Sequence, residues 1–263
     1  MNIWLLALVI MTIAVFMVMT GHGGGNFFII TLVFAGVDMH VAACSVQFIL
    51  FSAAFFAMIV FGRKKVVEWK VAILFGLLIL ISSFSGGYFS DYLPGKSLKL
   101  ILSVLLFILA IFMIIPSKMS SDKRIKRGWR NWNVRSIDKE HVYSLNLLLI
   151  VPVVLVFGFI SGMVGISGGS FLVPLMVLAG RVPIKNAVGT VSVLVSVSAL
   201  SGFTGHALNG HFDYRVALPL AIGASVGGII GGSIALKTKP VILKVLFAGT
   251  TLAVAIILAA HVL

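Results

Sequence analysis

Long apolar runs alternate with short polar stretches along the whole chain, and they predict five helical segments in each half. In the first half these are Ile3–Met19, Asn26–Ala35, Val41–Phe61, Val71–Ser90 and Leu98–Ile115. In the second half they are Val142–Ile160, Ser170–Ala179, Ala187–His206, Val216–Leu236 and Val241–Val262. The second segment of each half is too short to cross a bilayer core of about 30 Å, yet too apolar for an aqueous loop.

The two halves repeat one another around paired glycine clusters. Gly21–Gly36 reads GHGGGNFFIITLVFAG, and Gly165–Gly180 reads GISGGSFLVPLMVLAG, so the glycines fall at matching places. The repeat continues in a register one residue longer, in which Gly86-Gly87 matches Gly231-Gly232. Duplicated hydrophobic halves with glycine interruptions at corresponding positions are the best sequence pointer to the binding site of a transporter.

Composition places the chain in lipid. Hydrophobic residues make up 60% of the chain and charged residues 10%, whereas about a quarter of the residues of a soluble domain are charged. We therefore predict an all-α integral membrane protein of two homologous halves, arranged as inverted repeats. It would have 8–10 membrane segments, two of them short half-helices broken by glycine. The N-terminal segment has no preceding Lys or Arg and no cleavage site, so we interpret it as retained.

Positive charge is concentrated between the halves. The formal net charge is +13, and eight of the twenty basic residues lie within Lys118–Lys139. Such a stretch is typical of a cytoplasmic loop held by anionic lipid, and we do not assign it to nucleic acid. The predicted division is a first repeat of residues 1–116, a basic cytoplasmic linker of residues 117–141 and a second repeat of residues 142–263.

The remaining basic residues distinguish two topologies. If the halves were parallel, seven basic loop residues would lie outside and five inside, against the positive-inside bias. If each short segment turns back, the halves are inverted and only Lys96, Lys99 and Arg215 lie outside. The nine then inside are Arg63, Lys64, Lys65, Lys70, Arg181, Lys185, Lys237, Lys239 and Lys244. The inverted arrangement follows, with both termini outside the cell (inner) membrane.

The glycine clusters are the candidate substrate site. Irregular backbone at membrane depth must line a protein cavity, and glycine lets a ligand approach the backbone. A short helix is predicted to begin at about Asn26 and another at about Ser170, where N–H groups and the helix dipole favour an anion. The predicted contacts are Gly23, Gly24, Gly25, Asn26, Ser167, Gly168, Gly169 and Ser170. For Gly86-Gly87 and for the glycines between Gly223 and Gly232 we prefer close helix packing.

Other polar residues within the apolar segments are few. Gln47 and Ser192 occupy equivalent positions, and with Thr190 they are candidates either for substrate contact or for interhelical hydrogen bonds. His22, inside the first glycine cluster, could bind or relay a proton, or serve only as a loop residue. No ionisable residue lies near the middle of a segment, and no catalytic or metal-binding motif is present. We predict no enzyme activity, no cofactor and no metal.

The second-half stretch Gly162–Thr190, GMVGISGGSFLVPLMVLAGRVPIKNAVGT, resembles the sulfite exporter TauE/SafE family of membrane permeases. Pro174, Pro183 and the turn Asn186–Thr190 carry the resemblance, and Gly21–Ser45 is a weaker echo in which Ile30 replaces the proline. The resemblance implies transport of small sulfur-containing anions, such as sulfite or organosulfonates.

These features together predict an exporter of such anions that works by alternating access. An anion leaving a cell that is negative inside gains about 2.3 kcal/mol per charge per 100 mV, so export could run as uniport. Two alternatives stay open: an uptake carrier for the same anions, and a non-transporting membrane partner that docks through its basic linker. The expected partners are the anion and the lipid bilayer, with a homodimer also open.

Overall fold

The computed structural model describes residues 3–21, 23–94, 96–98, 100–101, 104, 131–135, 142–166, 168–179, 182–243, 245–246 and 249. In the first half the helices are α1 (Ile3–Thr20), α2 (Gly25–Phe34), α3 (Met39–Arg63) and α4 (Trp69–Phe89). In the second half they are α5 (Leu147–Val164), α6 (Gly169–Pro174), α7 (Ile184–Leu208) and α8 (Tyr214–Lys237). A 3-10 turn at Ser90–Tyr92 follows α4, and a π-helical turn at Leu175–Ala179 follows α6.

Five of these helices are long and apolar enough to cross a membrane: α1, α3, α4 with its 3-10 turn, α7 and α8. Their lengths run from 18 to 25 residues, and the mean hydropathy of their most apolar stretches runs from 1.6 to 2.6. The prediction of an all-α membrane protein is confirmed. The fifth predicted segment of each half, Leu98–Ile115 and Val241–Val262, lies largely outside the described residues, so the total of 8–10 segments stays a prediction.

One segment boundary was predicted wrongly. The first helix of the second half begins at Leu147 and not at Val142, because Val142–Asn146 forms a β-strand, β2. It pairs antiparallel with β1, Asn131–Arg135, which lies in the predicted linker. The apolar pattern of VYSLN joins smoothly to that of α5, so the sequence alone did not reveal the change from strand to helix.

Helix packing in one half mirrors helix packing in the other. Helix α1 packs on α8, and its counterpart α5 packs on α4. Helix α8 also packs on α3, and α4 on α7, while α3 and α7 contact each other directly. If each helix is replaced by its counterpart in the other half, the α1–α8 contact becomes the α5–α4 contact and the α3–α8 contact becomes the α7–α4 contact. The α3–α7 contact is unchanged by this replacement.

Residue contacts show that α1, α3 and α8 run in the same direction. Along α8, Gly223 approaches Ala7 of α1 and Gly231 approaches Val15, so residue numbers rise together in the two helices. In the same way α8 rises with α3, because Gly228 contacts Ala53 and Gly232 lies beside Ala57 and Val60.

Helices α4, α5 and α7 run in the opposite direction. Gly158 and Gly162 of α5 lie beside Ser82 and Ser83 of α4, in rising order. Along α7, Ser198 is bonded to Ser83, and Gly205 lies beside Tyr88, so α4 and α7 are parallel. Helices α3 and α7 are antiparallel, because Phe48 contacts Phe203 while Phe61 lies beside Gly189. Equivalent helices of the two halves thus point in opposite directions.

The short helices take their place from this arrangement. Helices α1 and α3 follow one another in the chain and yet are parallel, so the segment between Thr20 and Met39 has to bring the chain back across part of the bundle. Helix α2 lies in that segment. In the same way, α6 lies in the segment that brings the chain back between α5 and α7. Its α-helical part ends at Pro174, and a π-helical turn, Leu175–Ala179, follows.

Glycines hold the long helices unusually close. A Cβ atom on Gly228 of α8 would overlap the carbonyl oxygen of Ala53 in α3, and one on Gly86 of α4 would overlap that of Phe159 in α5. Small residues at helix crossings let backbones approach within a membrane, where lipid supplies no hydrophobic driving force for association. The packing role predicted for these glycines agrees with the contacts.

We expect Gly228→Ala to lower the thermal stability of the purified protein. The added methyl group must displace backbone, which typically costs about 1–3 kcal/mol. The matched control is Gly76→Ala in α4, where the new Cβ would meet only Leu194 Cδ2 at 3.9 Å. Thermal unfolding in detergent compares the two variants, and equal midpoints for them would contradict the close contact between α8 and α3.

Candidate substrate site

The two glycine breaks, Gly21–Gly24 and Gly165–Gly168, have the same conformation at their first residue. Gly21 has φ +80° and Gly165 has φ +79°. Each is pressed against the third helix of the other half: Gly21 lies against Val188 of α7 and Gly165 against Ala43 of α3. Ala43 and Val188 are themselves equivalent positions in the repeat. Both the positive φ and the contact, where a Cβ on Gly165 would lie 2.6 Å from Ala43 Cα, require glycine.

A helix begins directly after each break. The first helical hydrogen bonds are donated by the N–H groups of Phe27 and Phe28 to Gly24 in α2, and by those of Phe171 and Leu172 to Gly168 in α6. The helices begin at Gly25 and Gly169, one residue before the predicted positions, and their N-caps are Gly24 and Gly168 and not Asn26 and Ser170. Gly24 has φ +94°, a conformation that the predicted capping side chains rarely adopt.

The two breaks reach the same level of the bundle. A cavity beside the first break is bordered by Gly21, Gly23, Ser192 and Val195. A cavity beside the second is bordered by Gly168, Ser198 and the same Val195. Val195 is the twelfth of the 25 residues of α7, so both cavities border the middle of a membrane-spanning helix.

A cluster of hydroxyl groups borders the second break. The Ser161 hydroxyl donates to the carbonyl of Ile166, within the break, at 3.1 Å, and its oxygen lies 3.3 Å from Ser198 Oγ. The Ser198 hydroxyl is in turn 3.2 Å from Ser83 Oγ. All three serines are buried. By contrast the first break faces the apolar side chains of Ala54 and Ala57, and Ser192 donates to Gly189 of its own helix.

Gln47 of α3 belongs to the same cluster. Its side chain is fully buried, and Nε2 donates to the carbonyl of Ser161 at 3.0 Å. Its Oε1 atom has no hydrogen-bond partner among the described residues, nor has the hydroxyl of buried Ser45. An unsatisfied buried acceptor costs about 1–3 kcal/mol, so a donor from a ligand or from water would be stabilised beside Gln47.

Each of the remaining predicted site residues has a definite location or lies outside the described residues. Gly23, Gly24, Gly25 and Asn26 are buried beside the first break, and Gly168 and Gly169 beside the second. Thr190 is engaged elsewhere, because its hydroxyl donates to Asn186 and accepts from the N–H of Glu68. His22, Ser167 and the side chain of Ser170 lie outside the described residues.

The sequence leaves His206 open as a substrate contact or as an interhelical hydrogen bond, and its contacts in the structure agree with the second. His206 of α7 is fully buried, with Nδ1 3.0 Å from Ser90 Oγ and Nε2 2.8 Å from the carbonyl of Gly162. It thereby joins α7 to α5 and to the end of α4. In the sequence, His206 is one polar position within an apolar run. Only the packing of the helices brings it together with Ser90 and Gly162.

A buried carboxylate was missed. Glu68 was assigned to a loop, and it lies at the N-cap of α4, but it is only 2% exposed. Its Oε1 accepts from Asn186 Nδ2 at 3.0 Å. Helix α7 packs over this loop and removes the carboxylate from solvent, which the polar run preceding α4 in the sequence did not suggest.

Charge differs between the two ends of the bundle. The ends of α3 and α8 and the starts of α4 and α7 form a basic end that carries Arg63, Lys64, Lys65, Lys70, Lys185 and Lys237. The opposite, acidic end carries Asp38, Asp91 and Asp213, with Lys96 and Arg215. Burial raises the pKa of the Asp38 carboxyl, but hydrogen bonds from the N–H groups of His40 and Val41 outweigh that effect and leave its pKa below the usual value.

The helical bundle and its paired breaks define a membrane transporter built from two halves. The chain belongs to the sulfite exporter TauE/SafE family, whose model matches residues 6–258. The resemblance found in the second-half motif is therefore confirmed over nearly the whole chain.

Similar proteins carry the same class name. A probable membrane transporter protein of Bacillus subtilis, YunE, is 24% identical over 216 residues, covering 81% of this chain and 79% of its own. A second from that organism, YdhB, is 22% identical over 246 residues, covering 91% and 93%. The probable membrane transporter protein MamO of Paramagnetospirillum magneticum is 39% identical, but over only 38% of this chain and 17% of its own. No solved structure matches the chain.

We expect His206→Leu to destabilise the bundle. The substitution removes the bonds of His206 to Ser90 Oγ and to the Gly162 carbonyl. Ser90 Oγ keeps its bond to Gly87, so the Gly162 carbonyl is the buried group that loses its close side-chain partner, at a cost of about 1–3 kcal/mol. Thr204→Val is the control, since its hydroxyl donates only to Ser201 of its own helix. Thermal unfolding of both variants measures the difference, and a His206→Leu protein as stable as the control would contradict the role assigned to these bonds.

Proposed function

We propose that this protein carries a small sulfur-containing anion, sulfite or an organosulfonate, across the cell (inner) membrane. The observation that carries the proposal is that the cavities beside the two glycine breaks both border Val195, in the middle of α7. Membership of the sulfite exporter family supports the substrate class.

The anion would lie between the two breaks. The N–H groups at Gly24–Asn26 and at Gly168–Ser170 would bind it from opposite sides, because the first turn of a helix carries N–H groups that make no helical bond and the positive end of the dipole. The hydroxyls of Ser161 and Ser198 would lie on one side, and each would turn from its present acceptor, Ile166 or Ser83, to donate to the anion. The residues that border the two cavities include no Lys or Arg, so helix starts would take the place of a cation.

Alternating access would use the relation between the halves. We infer that they are inverted repeats, and the antiparallel contact of α3 with α7 supports this. In transporters built from inverted repeats, the two halves exchange conformations and so open the site to one side and then to the other. Here, such a change would move Ser161 and Ser198, beside the second break, relative to Ala54 and Ala57, beside the first.

The proposed orientation follows from charge. Cytoplasmic loops are enriched in Lys and Arg, so the basic end would face the cytoplasm. The predicted linker would lie on that side too, because β2 joins the start of α5, and α5 runs parallel to α4, which begins at the basic end.

The direction of transport depends on coupling. Export of an anion as uniport would be driven by the membrane potential. Uniport also suits a protein with no acidic residue near the middle of its membrane segments, but Glu68, at the start of α4, is a buried carboxylate. Coupled uptake is therefore the second candidate, with Glu68 and Asn186 as the residues through which a cation could act.

We expect purified protein in liposomes to carry labelled sulfite or sulfonate, and Gly168→Ala to reduce its affinity for the anion about tenfold or more. The reason is that the added methyl group would occupy the cavity, while its nearest atoms, Leu172 Cδ1 and Ser161 Oγ, lie at an unstrained 3.7 Å. Losing one hydrogen bond to a charged acceptor costs about 1.5–3 kcal/mol, which corresponds to that factor. Ser170→Ala and Asn26→Ala should be milder.

The controls separate folding from binding and uniport from coupling. Gly76→Ala lies away from the breaks and should transport like wild type. Gly168→Ala should match wild-type thermal stability, and unchanged substrate affinity in it would refute the site.

Flux that depends on the sign of an imposed potential supports uniport, whereas flux that needs an ion gradient and ignores the potential supports the coupled alternative. Flux that requires the basic linker but tolerates Gly168→Ala would favour the docking partner.

We predict that Lys64 and Lys237 face the cytoplasm and that Asp91 and Asp213 face outward. Single cysteines at these positions, in a Cys44→Ser background, are labelled in intact cells with a membrane-impermeant thiol reagent. Positions 91 and 213 should react in intact cells, and positions 64 and 237 only after the membrane is opened. Reaction of position 237 from outside would overturn the orientation.

A further inference from the structure

Three potential metal ligands meet at the acidic end of the bundle. They are His40 in the first turn of α3, Asp91 in the 3-10 turn after α4, and His211 in the loop between α7 and α8. One ligand atom from each lies within 4.8 Å of the other two. We propose that these residues bind a divalent transition-metal ion of the zinc class.

The three side chains already lie close together. His211 Nε2 lies 2.8 Å from Asp91 Oδ1, and the rings of His40 and His211 are stacked with their centroids 5.0 Å apart. His40 Nδ1 is buried without a hydrogen-bond partner among the described residues. A metal ion bound through Nδ1 would satisfy this nitrogen, which no group in the described part of the chain does.

The ligand types select the metal. Two imidazoles and one carboxylate suit zinc and neighbouring transition metals, whereas Mg²⁺ and Ca²⁺ take oxygen ligands. Bond lengths of about 2.0–2.1 Å to nitrogen would require the ligand atoms to draw closer than 4.8 Å. Because Asp91 and His211 are already 2.8 Å apart, the distance to shorten is that from His40 to this pair. The side chain of Asp91 is 52% exposed and that of His211 24% exposed, which leaves both free to move toward His40. Three protein ligands would leave a fourth position for water or for an anion.

The ion would join the two halves at one end only. His40 and Asp91 belong to the first half and His211 to the second. At the basic end, the positions equivalent to His40 and Asp91 are Lys185 and Leu236, and there the Lys185 ammonium donates to the carbonyl of Leu236 at 2.9 Å. At the basic end, a direct hydrogen bond thus connects α7 to α8, the counterparts of the helices that the metal would connect at the acidic end. The ion would clamp α3 and α4 to the loop after α7.

The test is direct metal binding to the purified full chain, prepared without a histidine tag. Calorimetric titration with Zn²⁺ should give one site in wild type, and Co²⁺ in its place should give the visible absorption of a nitrogen- and oxygen-bound ion. His211→Ala and Asp91→Asn should each weaken Zn²⁺ binding at least tenfold, and the double variant should abolish the site. Asp213→Asn, on the same end but outside the cluster, is the matched control and should bind like wild type.

A second measurement tests the clamp. Zn²⁺ should raise the unfolding temperature of wild type and of Asp213→Asn but not that of His211→Ala, because binding to the folded state alone stabilises it. Binding that persists unchanged in the double variant, or absence of binding to wild type, would overturn the proposal. Neither readout requires a transported substrate, so the metal site can fail while the proposed transport stands, and the reverse.

Discussion

The structure depends on close contacts that glycine residues make with neighbouring helices. Gly21 and Gly165, each with positive φ, press against the third helix of the opposite half, at Val188 and Ala43. Any side chain at either glycine would force the break away from that helix. The contacts fix where α1 and α5 end, and therefore where α2 and α6 begin. Glycines along α4, α5 and α8 extend the same close packing to the rest of the bundle.

Packing is symmetric between the halves, but polarity is not. Ser161 and Ser198 hydrogen-bond beside the second break, and Gln47 reaches the same cluster from the other half. Beside the first break, Ala54 and Ala57 occupy comparable depth. Among the described residues, hydroxyl groups are therefore more numerous beside the second break than beside the first. For a two-sided carrier, this difference would let the two halves play unequal roles in binding one anion.

Buried polar groups in this bundle are mostly satisfied by bonds between helices. His206 joins three elements through Ser90 and Gly162, and Glu68 is held by Asn186. With little water available in a membrane interior, such bonds stabilise the bundle while the unsatisfied amide oxygen of Gln47 marks a place where another donor is needed.

The sequence by itself determined the membrane class, most segment positions, the duplication and the family, because hydropathy and glycine spacing are local properties that one-dimensional comparison can read. It also predicted that the short segments turn the chain back, which agrees with the parallel course of α1 and α3. Only the tertiary structure decided that α2 and α6 begin at glycine caps, that Val142–Asn146 is a strand, and that His206 and Glu68 are buried. Likewise, His40, Asp91 and His211 are widely separated in the chain, and only the packing of helices from both halves brings them to one place.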